Sequence, residues 1–287
     1  TRCNNNSVEG PTDTKDSGTI YISADESFQP VIDSQIKVYE ALHPGTDIVP
    51  FYKAEADCFK DFNTDSIRMI IVTRRLSKGE EDFIVDSFSV APKSMIIARD
   101  AIAVIVHPSS PDSLFTMDEI KEILTGKFKK NLNPVFDGVN ATSTVRFIID
   151  SVLHGDSLTS KAMAAKTSQG VIDYVSKNPN AIGFLSVNWI GNPEDSTQMS
   201  FLKKVKMALL ESKDIKGSYI LPVQANIYYN RYPLIRDLVY ILKERHNGLG
   251  TGFSNFMSGE RGQKLFKRSY LWPAQFNKSY ISVEITN

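Results

Sequence analysis

The first 75 residues alternate short apolar runs with amphipathic segments, and that alternation restricts the chain to few folds. Thr19 to Ser23 reads as a strand, followed by the loop Ala24-Asp25-Glu26-Ser27-Phe28. Pro30 then suits a first helical turn, where its missing N–H costs nothing. Ile32, Ile36, Tyr39 and Leu42 repeat at helical spacing, and His43-Pro44-Gly45 closes that helix. Thr46 to Tyr52 predicts a second strand, Glu55 to Asn63 a short helix and Met69 to Thr73 a buried strand. The β-α-β-α-β order predicts a parallel sheet covered by helices, an α/β fold.

The pattern resumes after residue 100. Ile102 to Val106 predicts a strand, and Thr116 to Glu119 has the form of a capping box opening the helix Glu119 to Leu124. Strands are expected at Asn133 to Phe136 and Ile182 to Ser186, with a helix through Ile172 to Val175 between them. Val205 to Leu210 and Tyr219 to Leu221 are further strand candidates. Pro222 to Tyr229 reads as an extended connection, followed by helices at Leu234 to Arg245, Phe253 to Met257 and Arg261 to Lys267. A last strand is expected at Tyr280 to Ile285.

At 287 residues the chain has the length for about two cores. The expected organisation is a flexible polar tether over 1–17, one lobe from 18–103 plus 227–287, and a second lobe from 104–226. Two crossing strands near residues 103 and 226 would act as the hinge. Lys+Arg 33 balance Asp+Glu 33, so a charged ligand must be met by a local site, and no nucleic-acid partner is expected. No apolar run is long enough to span a membrane. The two cysteines exclude a thiolate zinc cage, the four histidines have no metal-ligand spacing, and no cofactor or metal is expected. Cys3, followed by a polar linker, is a candidate acylated cysteine of a bacterial lipoprotein. Cys58 reads as a buried small apolar residue.

Three segments could meet an anion, each at a strand-to-helix junction. Val135 to Arg146 carries a small polar cluster, Asn140, Thr142, Ser143 and Thr144, where free N–H donors and hydroxyls converge. N-capping by Thr142 or Ser143 is the plainer reading of that cluster. Asp25 to Phe28 is the second segment. The third is Thr73-Arg74-Arg75, since an arginine at a strand's carboxyl end faces the crevice in which open α/β sheets bind ligands. His107 is the best lone candidate for general base catalysis, although a structural role is the commoner one for such a histidine.

The stretches GTIYISADESFQPVID, RMIIVTRRLS, DAIAVIVHPSSPDSLFTMDEIKEILTGKF, VFDGVNATSTVRFIIDSVL and GTGFSNFMSGERGQKLF, in that order, resemble the substrate-binding proteins of phosphate ABC transporters. The resemblance implies a two-lobed periplasmic binding protein fold of the second type. It implies a phosphate ion held between the lobes, an ABC permease as partner, no covalent chemistry, and a monomer in the periplasm, attached to a membrane only through a lipid. It makes Ser27 and the Phe28 amide first-lobe contacts, and Thr142, Ser143 and Thr144 the second-lobe loop. Thr73-Arg74 stands where the family has Ser-Asp, Lys53 to Asp57 where it has Gly-Ser-Gly, and Arg146 lies inside the helix instead of ahead of the loop. Without that aspartate the expected ligand is phosphate or a similar small oxyanion, with Glu55 pairing Arg74. The competing readings are an enzyme acting on a phosphorylated metabolite and a phosphate sensor of the same fold.

Overall fold

The computed structural model describes residues 13–138, 142–192 and 194–275. Strand β1 (Gly18–Asp25) lies between β2 (Thr46–Lys53) and β3 (Ile67–Val72), parallel to both, as the alternation predicts. Helices α1 (Gln29–Leu42) and α2 (Glu55–Phe62) make the crossovers. Side chains on β3 point alternately to opposite faces. Met69 and Ile71 join the large core beneath α1, whereas Ile70 and Val72 join Cys58, Phe62 and Ile84 beneath α2 and α3 (Lys78–Phe88). β3 is therefore buried on both faces, which is why it is strongly apolar. Burial pushes the Cys58 thiol up to about 12, as suits an inert core residue.

β4 (Lys93–Val106) is the longest strand. It continues into helix α4 (Met117–Thr125), whose capping box between Thr116 and Glu119 forms as the sequence predicts. The second unit then adds β5 (Asn133–Phe136), α5 (Ser143–Phe147) with a wider π-type turn at Ile148–Val152, α6 (Ser168–Val175) and β6 (Ala181–Ser186). Helix α7 (Ser196–Leu202) and a small three-stranded sheet from Leu114–Phe115, Leu209–Glu211 and Tyr219–Ile220 complete it.

The return to the first unit differs from expectation in two elements. Pro222 to Tyr229 is not extended, because Gln224–Tyr228 forms a short helix, α8. Leu234 to Arg245 is not a helix; Ile235–Leu242 is strand β7, antiparallel to β3 on one side and β4 on the other. Leu234, Leu238, Ile241 and Leu242 also fit helical spacing, so the local pattern is ambiguous. The open slot between β3 and β4 decides it. There Leu238, Tyr240 and Leu242 face the large core and Val239 and Ile241 the smaller one, a period of two. Helices α9 (Leu249–Ser258) and α10 (Glu260–Arg268) follow as predicted.

The main sheet runs β2-β1-β3-β7-β4-β6-β5 and ends on Met163–Ala164. β4 belongs to both halves: it pairs with β7 through Ala101 and with β6 from Ile102. The expected strand Tyr280 to Ile285 lies outside the described residues. Residues 13–17 are not a free tether, since Asp13 is buried and accepts two bonds from Arg68 at 2.9 Å, one from the Leu249 amide at 2.7 Å and one contact from His246 at 3.1 Å. Burial pushes the Asp13 carboxyl up, but Arg68 and the Leu249 amide outweigh it and hold it below its ordinary range.

Candidate functional site

Two strand ends and one crossing strand bring the polar residues together. β1 ends at Asp25, whose Oδ1 accepts from the Ser27 amide at 3.0 Å and so caps the tight turn Glu26–Phe28. Ser27 and Phe28 are thereby fully buried ahead of α1. From the second unit, β5 ends at Asp137, whose Oδ2 accepts from Ser27 Oγ at 3.3 Å. Thr142 caps α5 by accepting from the Val145 amide at 3.3 Å, and it leaves Ser143 and Thr144 buried behind it. The capping reading is therefore correct for Thr142, while Ser143 and Thr144 have their hydroxyls engaged elsewhere.

Their partner is Arg236, which sequence reading missed. It stands on β7, and its Nη1 donates to Ser143 Oγ at 2.8 Å and Thr144 Oγ1 at 3.3 Å. Its Nε donates to Asp100 Oδ2 at 2.8 Å, and Asp100 in turn accepts from Ser186 Oγ at 2.6 Å. The guanidinium also lies 5.1 Å from the centre of the Phe28 ring. Arg236 and Asp100 have side chains 1% and 0% exposed, so the pair is stripped of water. One signal was legible: a buried arginine must be paired, and both Ile235-Arg-Asp-Leu238 and Ala98-Arg-Asp-Ala101 put charges into apolar runs. The helical reading of 234–245 hid the connection.

Three buried polar atoms around this arginine lack partners: Arg236 Nη2, Asp25 Oδ2 and Asn188 Oδ1. The Asn188 amide otherwise holds the Ser27 carbonyl at 2.7 Å, which Trp189 Nε1 also holds at 2.9 Å. Leaving such atoms unpaired costs about 1–3 kcal/mol each, so they mark the place where a polar guest would gain most. Three carboxyls, Asp25, Asp100 and Asp137, surround the single guanidinium. Burial pushes Asp25 up to about 7; Glu55 and Asp137 add to the rise, while Arg236 and Ser143 oppose it. Burial likewise raises Asp100 and Asp137.

This predicts a pH dependence. Between the unfolded Asp value of about 4 and the folded value of about 7, the folded state holds the Asp25 proton that the unfolded state has lost. The contribution of Asp25 to ligand-free stability is therefore full below that window, falls as pH rises through it and is flat above. Melting curves of wild type and Asp25→Asn from pH 5 to pH 8 check this. Their stability difference should move against wild type with rising pH, and parallel curves would refute the assignment.

Thr73 and Arg146 meet beside the cradle. Glu55, the first residue of α2, accepts from Thr73 N and Oγ1 at 2.7 Å each, and from Arg146 Nε at 2.6 Å. Arg146 Nη2 also donates to Thr73 Oγ1 at 2.8 Å. Burial raises the Glu55 carboxyl, but Arg146 and Thr73 outweigh it and hold it low. A second tie joins the same two units: the Glu26 carboxylate accepts from Ser168 N at 3.0 Å and Ser168 Oγ at 2.9 Å, at the start of α6. A cavity of about 330 Å³ lies against the Arg146 knot, lined by Glu55, Phe59, Arg74, Val145, Arg146 and Ile149.

Arg74 is not brought to the cradle. Both its terminal nitrogens bond Glu80 at 2.8 Å, and the guanidinium stacks 3.6 Å over Phe59. Arg74, with the Ser77 backbone, pulls Glu80 down to about 2 against its burial. The expected Glu55–Arg74 pair is replaced by Glu55–Arg146. Asn140 and Cys3 lie outside the described residues. His107 hydrogen-bonds Ser109 within its own turn. Among the described residues Asp13, Glu244 and His246 are close enough to hold a metal ion. The Arg68 guanidinium already fills that charge position, 2.9 Å from Asp13 and 3.2 Å from Glu244.

A mixed α/β architecture with a curled sheet, one strand shared between its halves and a buried polar cradle beside it, is the periplasmic binding protein type II fold. The chain belongs to the PBP superfamily, whose domain matches residues 9–261. Its fold is similar to that of a protein from Clostridium perfringens assigned as a phosphate ABC transporter substrate-binding protein, solved with bound phosphate. The TM-score is 0.71 at 20% identity, covering 89% of this chain and 99% of that one. It is also similar to an ABC-type phosphate transport receptor from Vibrio cholerae, with TM-score 0.65, 16% identity and coverage of 89% and 100%. At these identities the likeness shows the fold. No curated protein matches the sequence.

Proposed function

We propose that this protein captures phosphate, or a similar small oxyanion, in the cradle around Arg236 and delivers it to an ABC importer outside the inner membrane. The observation that carries this reading is the buried guanidinium with one unpaired N–H group among the hydroxyls of Ser27, Ser143 and Thr144. Guanidinium and hydroxyl donors in a dry site are the natural partners of a tetrahedral anion. The phosphate-binding neighbours support it. The two units, 18–103 with 227–287 and 104–226, act as lobes that close on the anion, and Glu26–Ser168 and Glu55–Arg146 hold them closed. Binding and release are the whole of its chemistry, and Cys3 carries the lipid that keeps a monomeric receptor near its permease. Calorimetry with phosphate, sulfate and a buffer blank tests the reading: saturable one-to-one binding of phosphate is expected, and silence with both anions would refute it.

Arg74 is assigned a structural role. Arg74→Ala is expected to leave phosphate affinity within about twofold and to cost about 1 kcal/mol or less of stability, because its ion pair with Glu80 is half-exposed. A tenfold or larger loss of affinity in the same calorimetric titration would return Arg74 to the site.

A further inference from the structure

The cradle has a neighbouring space. The cavity of about 330 Å³ lies between the two units, walled by Ala56 and Phe59 from α2 and by Val145 and Ile149 from α5 and the turn after it. Val145 directly follows Ser143 and Thr144. Those two hydroxyls bond Arg236, while Val145 faces the cavity, so one short helix lines both spaces. The cavity is far larger than one water molecule needs, and these four side chains are apolar, so it suits a small organic group.

Glu55 and Arg146 stand where the two spaces meet. Both line the cavity. On the other side, Glu55 is near enough to Asp25 for its charge to raise that carboxyl. Arg146 Nε donates to Glu55 Oε2 at 2.6 Å, Arg146 Nη2 to Thr73 Oγ1 at 2.8 Å, and Thr73 Oγ1 to Glu55 Oε1 at 2.7 Å, so the three side chains close a ring. Arg146 Nη1 adds a longer contact to Asp150 at 3.3 Å. The Glu55 side chain is 2% exposed. Parting the ring leaves it a buried charge without its cation, so the closed form is strongly preferred.

We infer that the ring of Glu55, Thr73 and Arg146 confines the cradle to a free oxyanion: it walls the cradle from the cavity and so refuses phosphate monoesters, whose organic group would have to pass into that cavity. The inference rests on the phosphate reading above. A free phosphate fits behind the closed ring. A monoester keeps the phosphoryl oxygens that a guanidinium and hydroxyls recognise, but it carries carbon on the fourth oxygen, and that carbon meets the ring. The discrimination is therefore by exclusion rather than by weaker recognition of the phosphoryl group. Glu55 and Arg146 are also two of the positions at which the chain departs from the family pattern, so the device belongs to this chain.

The test is calorimetry with inorganic phosphate, ethyl phosphate and glycerol 3-phosphate. Wild type is expected to bind phosphate about a hundredfold or more tightly than either ester. The double variant Glu55→Ser with Arg146→Ser removes both charges together and so leaves no bare buried carboxylate. It is expected to shrink the phosphate-to-ester ratio about tenfold or more. Arg146→Gln, shorter and uncharged, should move the ratio the same way and covers the case in which the double variant does not fold. Adding Ala56→Leu to the double variant fills the cavity and should restore the ratio. A ring that only holds the units together would weaken phosphate and esters alike and leave the ratio unchanged. That outcome in variants shown by melting temperature to be folded overturns the inference while phosphate binding stands. So does a wild type that binds the esters as tightly as phosphate, or a ratio that Ala56→Leu fails to restore. A wild type that binds none of the three overturns the phosphate reading as well.

Discussion

Arg236→Lys is expected to lower phosphate affinity by about a thousandfold, roughly 4 kcal/mol, the range for truncating a buried charged contact. Lysine keeps one positive charge facing Asp100, so that carboxylate is not left bare. It cannot keep the planar fork that reaches Asp100 through Nε and Ser143 and Thr144 through Nη1 while leaving Nη2 for the anion. Arg236→Ala would go further. Asp100 has a side chain 0% exposed, and removing its partner leaves an uncompensated buried charge, worth about 3–5 kcal/mol of stability. The lysine variant is thus the informative one, and calorimetry with a melting curve checks it. Binding at wild-type strength in a folded Arg236→Lys protein would remove Arg236 from the site.

Ser143→Leu is expected to abolish binding altogether. The side chain is fully buried, with its hydroxyl 2.8 Å from Arg236 Nη1, so a leucine there occupies the space between the guanidinium and Asp25. Inserting a larger side chain at this fully buried position also costs about 1–3 kcal/mol of stability. Loss of binding in this variant alone would therefore mix two effects. Thr144→Val separates them, because it keeps the shape and removes one hydroxyl, and it should cost about 1–3 kcal/mol of affinity with little change in melting. If instead both variants bind phosphate normally and only melt earlier, the hydroxyls at 143 and 144 serve packing, and the cradle lies elsewhere.

The site also accounts for the position of β7. A strand buried on both faces would ordinarily be apolar throughout. Arg236 breaks that run, and it is tolerated because β4, its neighbour, supplies Asp100 directly opposite in the register. The charge pair thus sits where the shared strand passes from one half of the sheet to the other. An anion held there, as proposed above, would touch both units and the strand that joins them.

Much of the chain was readable from its sequence because the governing forces act over a few residues. The period-two and 3.6-residue patterns set β1 to β3 and α1, Pro30 opens α1, and Thr116 with Glu119 caps α4. Ser27, Ser143 and Thr144 stand out because small hydroxyl residues at strand-to-helix junctions carry a local signature, whereas the Phe28 amide comes only from the family resemblance. Residues 234–245 carry no such local decision. Their apolar positions fit a helix as well as a strand, and only the vacant hydrogen-bonding slot between β3 and β4, made by residues more than 130 positions upstream, turns them into β7. With that choice Arg236 faces Asp100, Ser143 and Thr144. Arg74, whose place after β3 made it the obvious anion ligand, finds Glu80 six residues away and stays with it. Ion-pair partners are chosen by distance in space, so a pattern along the chain could propose the hydroxyls of the candidate site, but only the folded sheet could bring an arginine to them.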